Sequence, residues 1–231
     1  MMPMAIRAAA AAFLLTAIGA AMPCHDARAQ QNPERERALL DAAERGEIVT
    51  VRQLVAQGAR INWRDHRGRT PLLAATQRNR VEVARFLIQE GADVNTKDLV
   101  QDTPFLYAGA EGRVEILRLM LTAGADLKDT NRFGGTALIP AAHRGHVEAV
   151  KLLLTTQIDK DHVNNLGWTA LMEAVVLGDG GPAHTEIVRL LVAAGANANI
   201  PDRDRITPLE HAKRRGYAEM VRILSPLAGG K

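Results

Sequence analysis

From Ala38 onward the apolar residues fall into short segments with helical spacing, separated by polar stretches. Val83, Phe86 and Leu87 mark one such segment, and Val150, Leu153 and Leu154 mark another, both at i, i+3, i+4. A second, shorter type of segment opens on threonine: Thr70-Pro71-Leu72, Thr103-Pro104-Phe105, Thr136-Ala137-Leu138, Thr169-Ala170-Leu171 and Thr207-Pro208-Leu209. These threonines are spaced 33, 33, 33 and 38 residues apart, and one step back from Thr70 reaches a degenerate copy at Arg37-Ala38-Leu39-Leu40. Two further columns keep phase with them: Gly46, Asn79, Gly112, Gly145, Gly178 and Gly216, and the Gly-Ala pairs at Gly58, Gly91, Gly124 and Gly195.

Each column has a physical role. Threonine caps a helix, and proline after it stands where no amide hydrogen is required. Small residues at Ala75, Ala108, Ala141, Ala174 and Ala212 let neighbouring helices approach closely. The first glycine column turns the chain into an outer helix, which the Gly-Ala pair ends. A polar stretch such as Asp93–Asp98 then leads out to a protruding tip before the next threonine. With Thr136 as cap, Pro140 falls in the first turn of its helix, where its missing amide is tolerated. Gln157, where a turn glycine is expected, predicts an altered helix end.

Thr-Pro-Leu-x-x-Ala-Ala, the interhelical glycine and Gly91-Ala92-Asp93-Val94-Asn95, repeated at 33 residues, resemble ankyrin repeats. The resemblance covers about Glu34 to Leu227 and implies an all-α solenoid of about six helix-turn-helix repeats with protruding β-turn loops. The array is placed at 34–231, with repeats starting near 37, 70, 103, 136, 169 and 207 and a five-residue insertion at 179–183. The histidine usual after Thr-Pro-Leu is missing throughout: Leu73, Leu106, Ile139, Met172 and Glu210 stand there. The insertion reads as a longer surface loop, since loop length costs little, or as a second contact site or a small ion site.

The first residues follow a different pattern. Arg7 precedes an apolar run, Ala8–Met22, too short to cross a bilayer comfortably, and Ala27-Arg28-Ala29 follows. This order predicts a secretory signal, 1–29, cut after Ala29, with 30–33 a short linker. The Ala- and Arg-rich composition is of bacterial type, so the expected destination is the periplasm. Retention of Ala8–Met22 as a membrane anchor is the alternative.

Composition narrows the function. One cysteine, Cys24, allows neither a disulfide framework nor a cysteine-based zinc site, and it lies within the expected signal. A lone serine, Ser225, leaves little scope for a nucleophilic enzyme. A net charge of +3 over 231 residues gives no nucleic-acid footprint. His143 with His146, and Asp159, Asp161 with His162, have metal-like spacing, but a structural histidine and a solvated tip account for them. The chain is therefore expected to be a monomeric, non-enzymatic scaffold without metal or cofactor. A metal-dependent enzyme built across repeats is the remoter alternative.

The resemblance implies binding of an unidentified protein partner through the concave face and the tips. Carried over by register, the expected surface comprises Leu99, Val100, Tyr107, Arg132, Phe133, His143, Arg144, Asn165, Leu166, Trp168 and Glu173. Apolar and aromatic anchors ringed by arginine are typical of protein interfaces. Phe133 and Leu166 either stand in solvent or pack on neighbouring tips. Trp168 is expected to be exposed, because the position before threonine is variable in the family.

Overall fold

The computed structural model describes residues 33–229; the expected signal, most of the linker and Cys24 lie outside the described residues. Among the described residues there are twelve α-helices and no strand. They run as six antiparallel pairs: α1 (Pro33–Arg45) with α2 (Ile48–Ala56), α3 (Pro71–Gln77) with α4 (Val81–Gln89), and α5 (Pro104–Ala110) with α6 (Val114–Thr122). Then come α7 (Leu138–His143) with α8 (Val147–Leu154), α9 (Ala170–Val176) with α10 (Pro182–Ala193), and α11 (Pro208–Arg215) with α12 (Ala218–Leu224). A 3₁₀ turn at Ser225–Leu227 closes the array.

The inner helices stack through the threonine-phased columns. Leu39, Leu72, Phe105, Leu138 and Leu171 are fully buried, one in each of the first five repeats, and Leu209 is buried in the sixth. The alanine column from Ala42 to Ala212 is fully buried too, so the small side chains do set the approach of successive helices. The outer helices add Val83, Leu87, Ile116, Leu117, Val150, Leu153, Val188 and Leu191 to one continuous core. No unit covers its own apolar face, so stability is shared between neighbours.

Thr70, Thr103, Thr169 and Thr207 each accept the amide of the residue three positions on, as caps. Thr136 departs from the expectation. Its helix begins a residue later, at Leu138, and its hydroxyl is buried without a partner. The cause is Pro140. In the other repeats the threonine carbonyl accepts the amide four residues on, from Ala74, Tyr107, Glu173 and His211. Pro140 has no amide to give. The Thr136 carbonyl instead accepts from Ile139 at 3.2 Å, which takes away the donor the hydroxyl needs.

The fourth outer helix ends as Gln157 foretells, by a different device. Elsewhere the residue after the turn glycine donates back into the helix: Ala59 to Leu54, Ala92 to Leu87, Ala125 to Met120 and Ala196 to Leu191. At the same place Ile158 donates to the Thr156 hydroxyl, which donates to the Leu153 carbonyl at 2.6 Å. A side chain thus replaces the left-handed turn.

The insertion also moves a left-handed residue. Gly178 has lost the positive φ of its column, and Gly180 takes it, at +73°. His184 is held by Asp179 and by the His143 carbonyl, both at 2.8 Å, and the Tyr217 hydroxyl donates to the Gly178 carbonyl. The loop is tied down at both sides.

Candidate functional site

Each tip is built around an Asp or Asn five residues before the threonine, a column that sequence reasoning passed over. Asp65, Asp98, Asn131, Asn164 and Asp202 each use one side-chain oxygen to accept two amides. The acceptance folds the tip into a closed turn. Its fourth residue is then left-handed: Gly68, Gly134 and Gly167, but also Gln101 and Arg205. The recurrence of Asp or Asn at this offset was legible in the sequence.

The same geometry explains which tip side chains are exposed. The two residues after the Asx position point away from the array, so Leu99 (68%), Phe133 (50%) and Leu166 (47%) stand in solvent, with Val100 beside them. Asn165 is exposed as well, and its amide donates to the Phe133 carbonyl at 2.9 Å. The residue before threonine turns inward. Trp168 is therefore only partly exposed, against expectation, with its amide on Asn164 and its carbonyl accepting from Asn164.

Adjacent tips are unevenly joined. Each tip takes the number of the repeat it opens, so that Asp65 belongs to the second. Leu99 donates to the Arg67 carbonyl at 3.0 Å, tying the second tip to the third, and Asn165 to Phe133 ties the fourth to the fifth. Among the described residues no backbone bond joins the third tip to the fourth. A pocket of about 290 Å³ opens on the concave face at this place.

Seven of the expected surface residues line it: Tyr107, Arg132, Phe133, His143, Arg144, Leu166 and Glu173. Leu99, Val100, Asn165 and Trp168 do not. The floor is apolar, from Ile139 and Pro140. Arg132 lies over the Phe133 ring, 4.6 Å from its centroid, an attraction of cation to π-face. Arg144 is hydrogen-bonded to Glu111, so both cations of the rim are engaged within the chain.

Glu173 differs most from expectation. The register places it on the exposed side of its helix, and it is buried, at 5% exposure. Asn164 donates to one carboxyl oxygen at 2.7 Å, and His143 Nδ1 stands 3.5 Å from the other. Burial pushes its pKa up to about 7, against the lowering effect of the Asn164 bond. Burial, with the charge of Arg144, holds His143 below its ordinary value. Burial also raises Asp102, and neighbouring Asp98 adds to this.

The metal-like spacings resolve into other contacts. His143 faces Glu173, and His162 Nε2 meets the Gly134 carbonyl at 2.7 Å. Asp161 accepts the Asn197 amide at 2.7 Å, and Asp159 accepts the Asp161 amide. Among the described residues no three His, Cys, Asp or Glu side chains gather as metal ligands, and no helix is long and apolar enough to cross a membrane.

A stacked array of helical pairs with a concave, side-chain-lined face is a repeat scaffold. The model of ankyrin repeats (three copies) matches residues 5–98 and 105–202, and the chain belongs to the ankyrin repeat family. An ankyrin repeat domain from Acinetobacter baumannii AYE, solved as a crystal structure, is 52% identical. It aligns with a TM-score of 0.81 over 83% of this chain and 98% of that one. The ankyrin repeat protein EF0377 is 42% identical, with a TM-score of 0.79 over 81% of this chain and 96% of the other. The putative ankyrin repeat protein YahD of Escherichia coli K12 is 44% identical over 52 residues, and the match spans only 26% of that relative. Ankyrin repeats generally mediate protein–protein interaction, and the family is generally non-enzymatic.

Proposed function

We propose that the protein is a secreted, non-enzymatic scaffold that holds a partner protein on the concave face around the third to fifth tips. The observation that carries this reading is the coincidence of exposed Phe133 and Leu166 with the pocket between the third and fourth tips. Large apolar side chains in solvent beside a concavity favour a docking surface over a solvated one. The partner is expected to seat an apolar segment on these two side chains and to reach the pocket with a neighbouring residue.

The apolar run and Ala27-Arg28-Ala29 favour export and cleavage after Ala29, which would leave a soluble monomer in the periplasm. N-terminal sequencing of the protein from a periplasmic fraction tests this. A chain beginning at Gln30 supports it, and one beginning at Met1 or Met2 favours the membrane-tethered scaffold instead.

The binding surface is tested by crosslinked capture from the same extract. Phe133→Ala with Leu166→Ala is expected to leave the fold unchanged, since both are solvent-exposed, and to lose the partner. Undiminished capture by the double variant would show that the surface lies elsewhere.

A further inference from the structure

The insertion at 179–183 changes the surroundings of one histidine. His146 and His184 hold the same register position in successive repeats. Each bonds the backbone of the last inner-helix residue of the repeat before it. For His146 that residue is Ala110, at the end of α5, and for His184 it is His143, at the end of α7. His146 has no carboxylate bonded to its ring among the described residues, and burial holds its pKa below the ordinary value.

The insertion gives His184 a second partner. Asp179 Oδ1 lies 2.8 Å from His184 Nδ1, and the His143 carbonyl lies 2.8 Å from Nε2. A carbonyl and an ionised carboxylate accept hydrogen bonds and cannot donate them. Asp179 is ionised here, because the Gly181 amide and His184 hold its pKa below the ordinary value. Both ring nitrogens must therefore carry a proton, and a ring with both is an imidazolium. The His184 side chain is 13% exposed and that of Asp179 is 78% exposed. The ring is fixed in the structure, and the carboxylate is the part free to turn to water.

The rest of the loop is built on this pair. Asp179 Oδ1 also accepts the Gly181 amide at 2.8 Å, and the Thr185 amide donates to the Gly181 carbonyl at 3.0 Å. Gly180 takes its left-handed corner against Tyr217, where a β-carbon would lie 2.4 Å from the ring.

We propose that Asp179 and His184 form a proton-operated latch, closed by the imidazolium, that fastens the insertion to the end of α7 and opens when the ring loses a proton. A neutral ring has one N–H left. It keeps the inner bond, to the His143 carbonyl, as His146 keeps Ala110, and it turns a lone pair towards Asp179. The carboxylate then leaves for water and the loop loses its tie to α10. Histidine changes charge between about pH 5 and pH 8, so the latch is closed at the lower end of that range and open at the upper. His143 takes the bond on its carbonyl and lines the pocket with its ring, so the latch adjoins the concave face. The latch stands whether or not that face binds a partner.

The groups around His184 are few. The loop supplies Asp179, and α7 supplies His143, within electrostatic range. From α9 the contact is Gly178, whose carbonyl accepts the Tyr217 hydroxyl. On α10 itself Glu186 is held by Arg189.

The test is nitrogen-15 NMR of the full chain between pH 5.5 and pH 8. Ring nitrogen shifts report the protons on His184, and amide exchange, corrected for its intrinsic pH dependence, reports the loop. Protection of the Gly181 and Thr185 amides is expected to fall about tenfold as the His184 ring goes from two protons to one, the loss of one charge-assisted bond. The His146 amide, in the repeat without the insertion, is expected to keep its protection throughout. Asp179→Ala is expected to give the low protection at both ends of the range, and His184→Gln to abolish the pH dependence. Thermal melts confirm that each variant folds, and the wild-type titration needs no variant. Protection that is constant, or that rises with pH, overturns the proposal. So does a pH dependence that persists in His184→Gln, or full protection at pH 5.5 in Asp179→Ala.

Discussion

Asn164 Nδ2 donates to Glu173 Oε1 at 2.7 Å, and nine residues separate the two. The same spacing joins Asp202 to His211 in the last repeat, with carboxylate and ring exchanged in place. The sixth repeat thus bonds its tip carboxylate to a ring nitrogen. The fifth buries a carboxyl against an amide and leaves the acid without a compensating cation. Burial of this acid has a thermodynamic consequence.

Glu173 has a folded pKa of about 7 against an ordinary value of 4.5. The folded protein therefore binds more protons than the unfolded chain between these values, and stability falls as pH rises from about 4.5 to about 7. The full effect is on the order of 3 kcal/mol. Glu173→Gln removes it while keeping an acceptor for Asn164. Urea unfolding is expected to show the variant more stable than wild type by about 2–3 kcal/mol at pH 8, with the gap closing toward pH 4. A constant difference across this range would mean that the carboxyl is not held protonated.

Gln101 and Arg205 occupy the left-handed corner of their tips, at φ of 68° and 62°, where three other tips use glycine. Both side chains are exposed, so the backbone is the main thing a substitution changes. Gln101→Gly and Arg205→Gly are each expected to stabilise by about 0.5–1 kcal/mol, the relief of left-handed strain outweighing the added freedom of the unfolded chain. Gly134→Ala runs the other way, because a β-carbon there would sit 2.5 Å from Asn165 Oδ1 at φ of +72°. Denaturant midpoints of the three variants give the comparison.

Asp65 accepts the amides of Arg67 and Arg69 and the Arg69 side chain. Burial raises its pKa, but the Arg69 and Arg67 bonds outweigh this and hold it below the ordinary value. Asp65→Ala strands these donors and is expected to cost about 2–3 kcal/mol. Asn131→Ala, which loses only the amides of Phe133 and Gly135, is expected to cost about 1–2 kcal/mol. Amide exchange would place the loss at the second tip and the fourth tip respectively.

The repeat register was readable because each column solves a local problem: a cap at Thr70, close approach at Ala108, a left-handed turn at Gly145. These needs recur in every unit, so their residues recur too. The exposure of Phe133 and Leu166 was left open by the register and is settled by the direction the closed tip gives them. The inward turn of Trp168 and the burial of Glu173 were not readable, since each depends on contacts between positions several residues or a whole repeat apart. Asp102, which lines the pocket, stands where the second repeat has Arg69, and periodicity conceals such differences.

Pro140 gives the sharpest test of how one missing amide propagates. Without that amide the Thr136 carbonyl draws the Ile139 amide, and the Thr136 hydroxyl is left buried and unpaired. Pro140→Ala restores a donor four residues from Thr136. The Ile139 amide is then free to bond the hydroxyl, as Leu73, Leu106 and Met172 do at 3.0–3.2 Å in their repeats. Two bonds stand where one stood, and the expected stabilisation is about 1 kcal/mol, reduced by the extra freedom of alanine in the unfolded chain. The measurements are the urea midpoint and, in the variant, the exchange rates of the Ile139 amide and of the new amide that the substitution introduces. Slow exchange of both is the expected result. Fast exchange at Ile139 would mean that the helix keeps its late start for a reason other than the proline, with Ala137 and Gly109 as the place to look, since a β-carbon on Gly109 would lie 2.9 Å from that of Ala137.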